Sequence, residues 1–228
     1  MKHATPPRIF PRRNTLLNSC RALLGGSLLA CGLHSGFAES PAPAAASNSV
    51  LLHAAPLPLV ASPQLTEPLG AAWKIHHGQW TPENGELRAA EIPQEKHSAV
   101  LHHRVGLKNA VVELEFRLEG AGYFGVGCDG PPHVGRVIVL QNRIQIAQDS
   151  KSTPKILAVR EMQVRAGEWH HLRVEWKEDQ VAARLDGQEL RAQHDYFSTR
   201  KGLTWIGAGP AGATIRNLRI YGEENPAK

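Results

Sequence analysis

A chain of 228 residues is long enough for one sizeable domain and too short for three. Hydrophobic residues make up 42% and charged residues 21%, which excludes a disordered polyelectrolyte and an all-membrane protein. The net charge of +5 does not mark a nucleic-acid binder: Lys2, Arg8, Arg12, Arg13 and Arg21 carry it inside residues 1–38, and residues 39–228 hold 21 bases and 21 acids.

Those five bases precede or open an apolar run, Ala22 to Ala38, that ends in Gly36-Phe37-Ala38. A basic start, a leucine-rich stretch and a small-x-small end predict an export signal over 1–38, cleaved after Ala38. Gly25, Gly26, Gly32 and His34 interrupt the run, which disfavours a permanent membrane span. Leu28-Leu29-Ala30-Cys31 resembles a lipoprotein box, so lipidation of Cys31 is the alternative and the one expected route to a membrane. The expected location is periplasmic or secreted, or the outer membrane if Cys31 is lipidated. Cleavage after Ala38 removes Cys20 and Cys31 and leaves Cys128 without a disulfide partner. Residues 39–68 are rich in Pro, Ala and Ser and read as a leader or linker, although Val50-Leu52 and Leu57-Val60 could dock as an edge strand.

From Leu69 the pattern changes to period two, and a β-domain is expected over 69–222 with a tail at 223–228. Short strands read at Glu86–Ala89 and Ala99–His103. In Ala110–Glu119 the residues Ala110, Val112, Leu114, Phe116 and Leu118 share one face; Val111, Glu113, Glu115, Arg117 and Glu119 share the other. Further strands follow at Tyr123–Cys128, Arg136–Leu140, Arg143–Gln148 and Ile156–Arg160. His170–Trp176 alternates Leu172, Val174 and Trp176 against Arg173 and Glu175. Val181–Leu185 leads into Asp186-Gly187, a pair suited to the positive φ of a tight hairpin turn. Leu203–Gly207 and Thr214–Tyr221 close the domain. Many short strands between Gly, Pro, Asn and Asp turns, with no amphipathic helix, predict an all-β sandwich or barrel. Trp176 and Trp205 are expected in the core, and Trp73, Trp80 and Trp169 beside turns.

Several of these segments carry a resemblance. Trp73-Lys74-Ile75, Gly78 through Leu87, Glu113 through Leu118, Gly167-Glu168-Trp169-His170-His171-Leu172-Arg173-Val174, Leu185-Asp186-Gly187 and Ile215 through Ile220 together resemble the 3-keto-disaccharide hydrolase domain family. That family is glycoside hydrolase family sixteen-like, within the concanavalin A-like lectin and glucanase superfamily. The resemblance covers about 69–222 and implies a jelly-roll sandwich of two sheets that hydrolyses or eliminates the glycosidic bond of 3-keto-glycosides. It also implies a carbohydrate or glycoside partner. Laminin-G-like modules share the Trp-His strand and the Asp-Gly hairpin, so a non-catalytic glycan-binding module is the alternative, and an envelope-attached structural domain is a third. The chain departs from the family after Arg117. Gly120-Ala121-Gly122-Tyr123-Phe124-Gly125-Val126-Gly127-Cys128 stands where the family has an Asn-Ser-Gly turn.

Glycoside chemistry calls for a pair of acid and base groups across a cleft. Glu115 is the candidate acid or base, because the Glu-Phe-Arg element of the family falls there, with Arg117 beside it as a sugar-binding residue. His133 is the candidate base next to a ring C–H, and Arg136 and Asp149 are candidates for bidentate contacts to sugar hydroxyls. Convergence of these five residues in one cleft is the expected arrangement. Adjacent histidines at 76–77, 102–103 and 170–171 point to opposite faces of a regular strand and do not advertise a metal site. No cofactor is implied.

Overall fold

The computed structural model describes residues 51–66, 68–120, 122–130, 133–149 and 154–225. The export signal, its cleavage point and Cys31 lie outside these residues. Fifteen strands form among the described residues: β1 (Leu59–Ala61), β2 (Trp73–His77), β3 (Gln79–Glu83), β4 (Glu86–Ala90), β5 (Ala99–His103), β6 (Leu107–Leu118), β7 (Tyr123–Asp129), β8 (His133–Leu140), β9 (Arg143–Gln148), β10 (Lys155–Glu161), β11 (His170–Lys177), β12 (Gln180–Leu185), β13 (Gln188–Gln193), β14 (Leu203–Ala208) and β15 (Ala213–Glu224). Pairing is antiparallel throughout these strands. Sheet A runs β13-β12-β11-β6-β15-β4-β3, with β1 also on β15, and sheet B runs β10-β9-β8-β7-β14-β5-β2. Among the described residues no helix is long and apolar enough to cross a membrane.

The alternation in the sequence explains which way each strand faces. On β6, Leu114, Phe116 and Leu118 are fully buried between the sheets, while Glu113, Glu115 and Arg117 are only partly covered. Phe116 of sheet A stacks on Phe124 of sheet B, with centroids 4.4 Å apart and planes 4° from parallel. This contact joins the sheets near the middle of the core, and truncating such a ring costs about 3–5 kcal/mol. Trp176 is fully buried, as its alternation requires. Two-residue turns close two hairpins: Asp186-Gly187, at φ 46° and 83°, joins β12 to β13, and Asn84-Gly85, at 53° and 81°, joins β3 to β4. Strand β13, whose outer residues are mostly polar, carries too little hydrophobic pattern to be read in advance.

Part of the expected leader belongs to the fold. Strand β1 pairs with β15 through Leu59↔Tyr221, and Leu51 and Leu65 are buried. The Glu175 carboxylate, fully buried on the outer face of sheet A, accepts N–H bonds from Leu51, Leu52 and His53. It also accepts from Arg173 at 2.7 Å, and Lys177 donates to the Leu52 carbonyl. Burial works against its ionisation, but the Leu52, Arg173 and His53 bonds win and hold it below the ordinary carboxylate range. Strand β15 continues to Glu224, so the first two residues of the expected tail are strand.

Candidate functional site

Two concavities with polar walls lie on opposite faces of the sandwich. One, of about 400 Å³, sits on the outer face of sheet A and is lined by Glu83, Glu86, Arg88, Arg117, Glu119 and Thr214 among others. The other, of about 470 Å³, sits on the outer face of sheet B, where Tyr123, Asp129, His133, Arg136, Asp149 and Trp205 meet His76, His97 and His102.

The expected convergence of five residues does not occur. His133, Arg136 and Asp149 come together in the sheet B cleft. Glu115 and Arg117 lie on β6 with the outward row of sheet A, across the hydrophobic core from that cleft. The physical reason is sheet membership: β6 and β8 are both well-formed strands, but they belong to different sheets. Glu115 is bonded to the Arg216 guanidinium and accepts from Asn217 at 3.2 Å. Arg117 bonds Glu119 at 3.2 Å, and the guanidinium carbons of Arg117 and Arg216 lie 4.8 and 4.0 Å from the centre of the Trp169 ring. Glu113 is likewise occupied by His171 at 3.0 Å and Arg173 at 2.9 Å, the His171 bond foremost in holding its carboxyl below the usual range.

The sheet B cleft has a different character. Its floor is Trp205, which faces outward and is half-buried, contrary to the expected core position. Gly127 and Gly125 on β7 and Gly207 on β14 make room for the indole to lie flat. A Cβ at Gly127 would come within 2.4 Å of the ring, at Gly125 within 3.1 Å and at Gly207 within 3.2 Å. The glycine-rich departure from the family pattern therefore accommodates an aromatic platform. Two strand glycines alternating opposite a Trp in a paired strand were the available signal for it.

Asp129 ends β7 and His133 opens β8, and a register shift in that hairpin sets them opposite one another. Nδ1 of His133 lies 2.9 Å from the Asp129 carboxylate. A carboxylate only accepts, so it favours the tautomer of a neutral ring that carries its proton on Nδ1 and its lone pair on Nε2. Burial holds the Asp129 carboxyl above its ordinary range, and the neighbouring His133 and Trp205 side chains offset only part of that. His133 is 64% exposed and Asp129 14%, so the imidazole is reachable and its partner is sheltered. Beside them Arg136 and Asp149 form an ion pair at 3.4 Å. Asp129 was absent from the sequence candidates, although a four-residue Asp-to-His spacing across a tight hairpin could have pointed to it.

Other reactive groups are committed to structure. Cys128 is fully buried, and burial pushes its thiol up to about 12, which leaves it unreactive. Buried Lys201 donates to the carbonyls of Lys108, Phe197 and Thr199 at 3.1, 2.9 and 3.4 Å, using all three ammonium protons. Among the described residues no group of three or more His, Cys, Asp or Glu is arranged to hold a metal ion.

The fold is shared with carbohydrate-active proteins of low sequence identity. The carbohydrate-binding module CBM66 from Bacillus subtilis is 13% identical with a TM-score of 0.55, over 66% of this chain and 95% of that one. A non-specific endo-β-1,3(4)-glucanase of family GH16 is 14% identical with a TM-score of 0.55, over 73% and 94%. A β-1,3-1,4-glucanase (lichenase) derived from a mouse hindgut metagenome is 12% identical with a TM-score of 0.55, over 71% and 98%. These likenesses establish the concanavalin A-like jelly roll. No curated protein matches the chain. The model of the 3-keto-alpha-glucoside-1,2-lyase-like domain matches residues 67–220, which is most of the chain, and the protein therefore belongs to that carbohydrate-active family.

Proposed function

We propose that the sheet B cleft binds a 3-keto-glycoside and expels its C1 substituent by elimination across C1–C2, with His133 as the base. A ketone at C3 acidifies the hydrogen on C2. Nε2 of His133 takes that proton, and the electron pair left on C2 passes to the enolate. When the C3 carbonyl re-forms, the C1–O bond breaks and a C1=C2 double bond takes its place. The products are an alcohol, protonated on the departing oxygen, and a 1,2-unsaturated 3-keto sugar. Arg136, oriented by Asp149, supplies N–H groups for the enolate oxygen. Trp205 offers an apolar face to the ring.

The observation that supports this is the sheltered Asp129 carboxylate 2.9 Å from Nδ1 of an exposed His133 beside Trp205 in the cleft, which favours the Nδ1–H tautomer and leaves Nε2 free to accept a proton. The test is to incubate the protein with a 3-keto-glucoside and follow the products by NMR. Alcohol release with loss of the C2 hydrogen, both abolished in His133→Gln, is the expected result. A product that keeps its C2 hydrogen, formed equally well by His133→Gln, overturns it. A second reading, glycan capture without chemistry, draws on the flat Trp205 platform and predicts binding heat with no product.

Export is part of the same proposal, and mass spectrometry of the mature chain tests it. A start at Glu39 supports simple cleavage, and a lipidated Cys31 supports envelope attachment.

A further inference from the structure

The cleft wall on the far side of Trp205 from His133 is made of imidazoles. A register shift in β2 between Ile75 and His77 breaks the strand's alternation. The His76 and His77 rings therefore touch, with centroids 4.4 Å apart. His76 stacks on His102 of β5 at 4.7 Å with planes 19° apart, and His77 stacks on His97 at 3.9 Å with planes 22° apart. Four rings from three chain segments thus form two stacked pairs that meet edge to face, His76 and His77 lying 71° apart. His76, His97, His102 and Lys96 line the cleft, and Lys74 stands opposite His102 in the strand register.

Within each pair the near-parallel rings do not converge their in-plane lone pairs on a point, and among the described residues no group of three or more His, Cys, Asp or Glu is arranged to hold a metal ion. Its electrostatics favour a ligand of the opposite sign. Burial, followed by the charges of His76, Lys74, Arg104 and His77, pushes His102 down to about 4. His76 is lowered by burial and by His77, Lys74 and His97, with Asp129 the one group opposing them. The nearby acids are already engaged. Glu95 is shared between His77 at 3.4 Å and the Gly78 N–H at 2.8 Å, Asp129 holds His133, and Asp149 holds Arg136. Among the described residues neither Lys74 nor Lys96 has an ion-pair partner. Nδ1 of His97 sits 2.8 Å from the Ser98 carbonyl and must donate to it, so protonation would turn Nε2 into a second donor.

We infer that this wall is the subsite for an oxyanion carried by the glycoside, a uronic acid carboxylate or a sulfate ester on the unit next to the ring over Trp205. This rests on the assignment of the sheet B cleft as the glycoside site. An oxyanion there adds the negative charge that the imidazoles and lysines lack, and its binding draws protons onto the stack.

The test is calorimetry on the full chain at pH 5.5 and 7.5 with cellobiose, cellobiouronic acid and a 6-O-sulfated cellobiose. At pH 5.5 at least one charged disaccharide should bind about fivefold or more tighter than cellobiose. That advantage should shrink at pH 7.5, and the heat should depend on buffer ionisation because protons are taken up. Preference for the uronate, the sulfate ester or both identifies the group, and each supports the inference. The double variant Lys96→Gln/His97→Gln should bind all three sugars alike. Equal affinities at both pH values, or a preference that survives in the double variant, overturn this inference and leave the cleft assignment standing. Sodium acetate or sulfate binding as tightly as the charged sugars makes the site one for free anions and also overturns it. Absence of binding by every disaccharide overturns this inference, and the 3-keto-glucoside assay decides the cleft assignment separately.

Discussion

The outer face of sheet A and the outer face of sheet B begin from similar raw material, an outward row of polar side chains on antiparallel strands. On sheet A the carboxylates along β6 and β11 are answered by neighbours: Glu113 by His171 and Arg173, Glu115 by Arg216, Glu119 by Arg117, Glu175 by Arg173 and three backbone N–H groups. On sheet B the acids are answered, but His133, a flat indole, a wall of imidazoles and Lys96, unpaired among the described residues, face the cleft. The difference teaches that charge density is a poor guide to a site. Exposed ion pairs contribute little and catalyse nothing while they satisfy each other. A group held by one partner and open on its other side is the more informative sign.

The most severe way to break the comparison is through His133. His133→Gln removes the base, and the elimination rate should fall about 10²–10⁴-fold, as removing a general base does. Thermal stability should hardly move, because the ring is largely exposed. Asp129→Asn should lower the rate by a smaller factor by freeing the tautomer, which a rate comparison of the two variants shows.

On the other face the expected response is reversed. Glu175→Ala strands three N–H donors and Arg173, and leaving one half of a buried pair should cost about 3 kcal/mol. Melting should fall by roughly 6–12 °C at this chain size, with turnover at low temperature unchanged. Loss of turnover in Glu175→Ala without loss of stability would erase the distinction between the faces.

Gly127→Ala sharpens the picture at the platform. Its Cβ would meet the indole at 2.4 Å, so Trp205 must lift, and glycan affinity should fall by about tenfold, measurable by calorimetry.

Acid tests the imidazole wall with a smaller effect. The folded pKa of His102, at about 4, lies below its ordinary 6.5, so the unfolded chain takes up a proton first as pH falls. This contribution is absent above 6.5 and destabilises progressively between 6.5 and 4. With partial exposure discounted, melting should drop by roughly 2–4 °C over that window, and His102→Gln should flatten the pH profile.

The smallest effect concerns Glu115. Glu115→Gln should leave turnover within about twofold, since its carboxylate lies on the face away from the cleft and is bonded to Arg216.

Much of the fold was legible because its signals are local. Val112, Leu114 and Phe116 alternate with Glu113 and Glu115 on β6, and Asp186-Gly187 announces its own hairpin. The site was legible only in part. His133, Arg136 and Asp149 fall in the cleft they were expected to line, but Glu115 and Arg117 do not, because a strand's pattern does not reveal which sheet it joins. Trp205 was assigned to the wrong face for another reason. Leu203, Trp205 and Gly207 alternate with Thr204, Ile206 and Ala208, and both sets are apolar enough to be core. Only the glycines of β7, four score residues earlier in the chain, settle which way the indole points. The imidazole stack needed a register shift in β2 that nothing in the two adjacent histidines foretells.

The docking of Leu51–His53 on Glu175 has a mechanical consequence. The polypeptide reaches the sandwich on the outer face of sheet A, with the whole hydrophobic core between that point and the cleft. Tension applied from upstream would be borne by Glu175 and β11 at the back of the domain, and the mouth of the cleft would stay turned away from the pull.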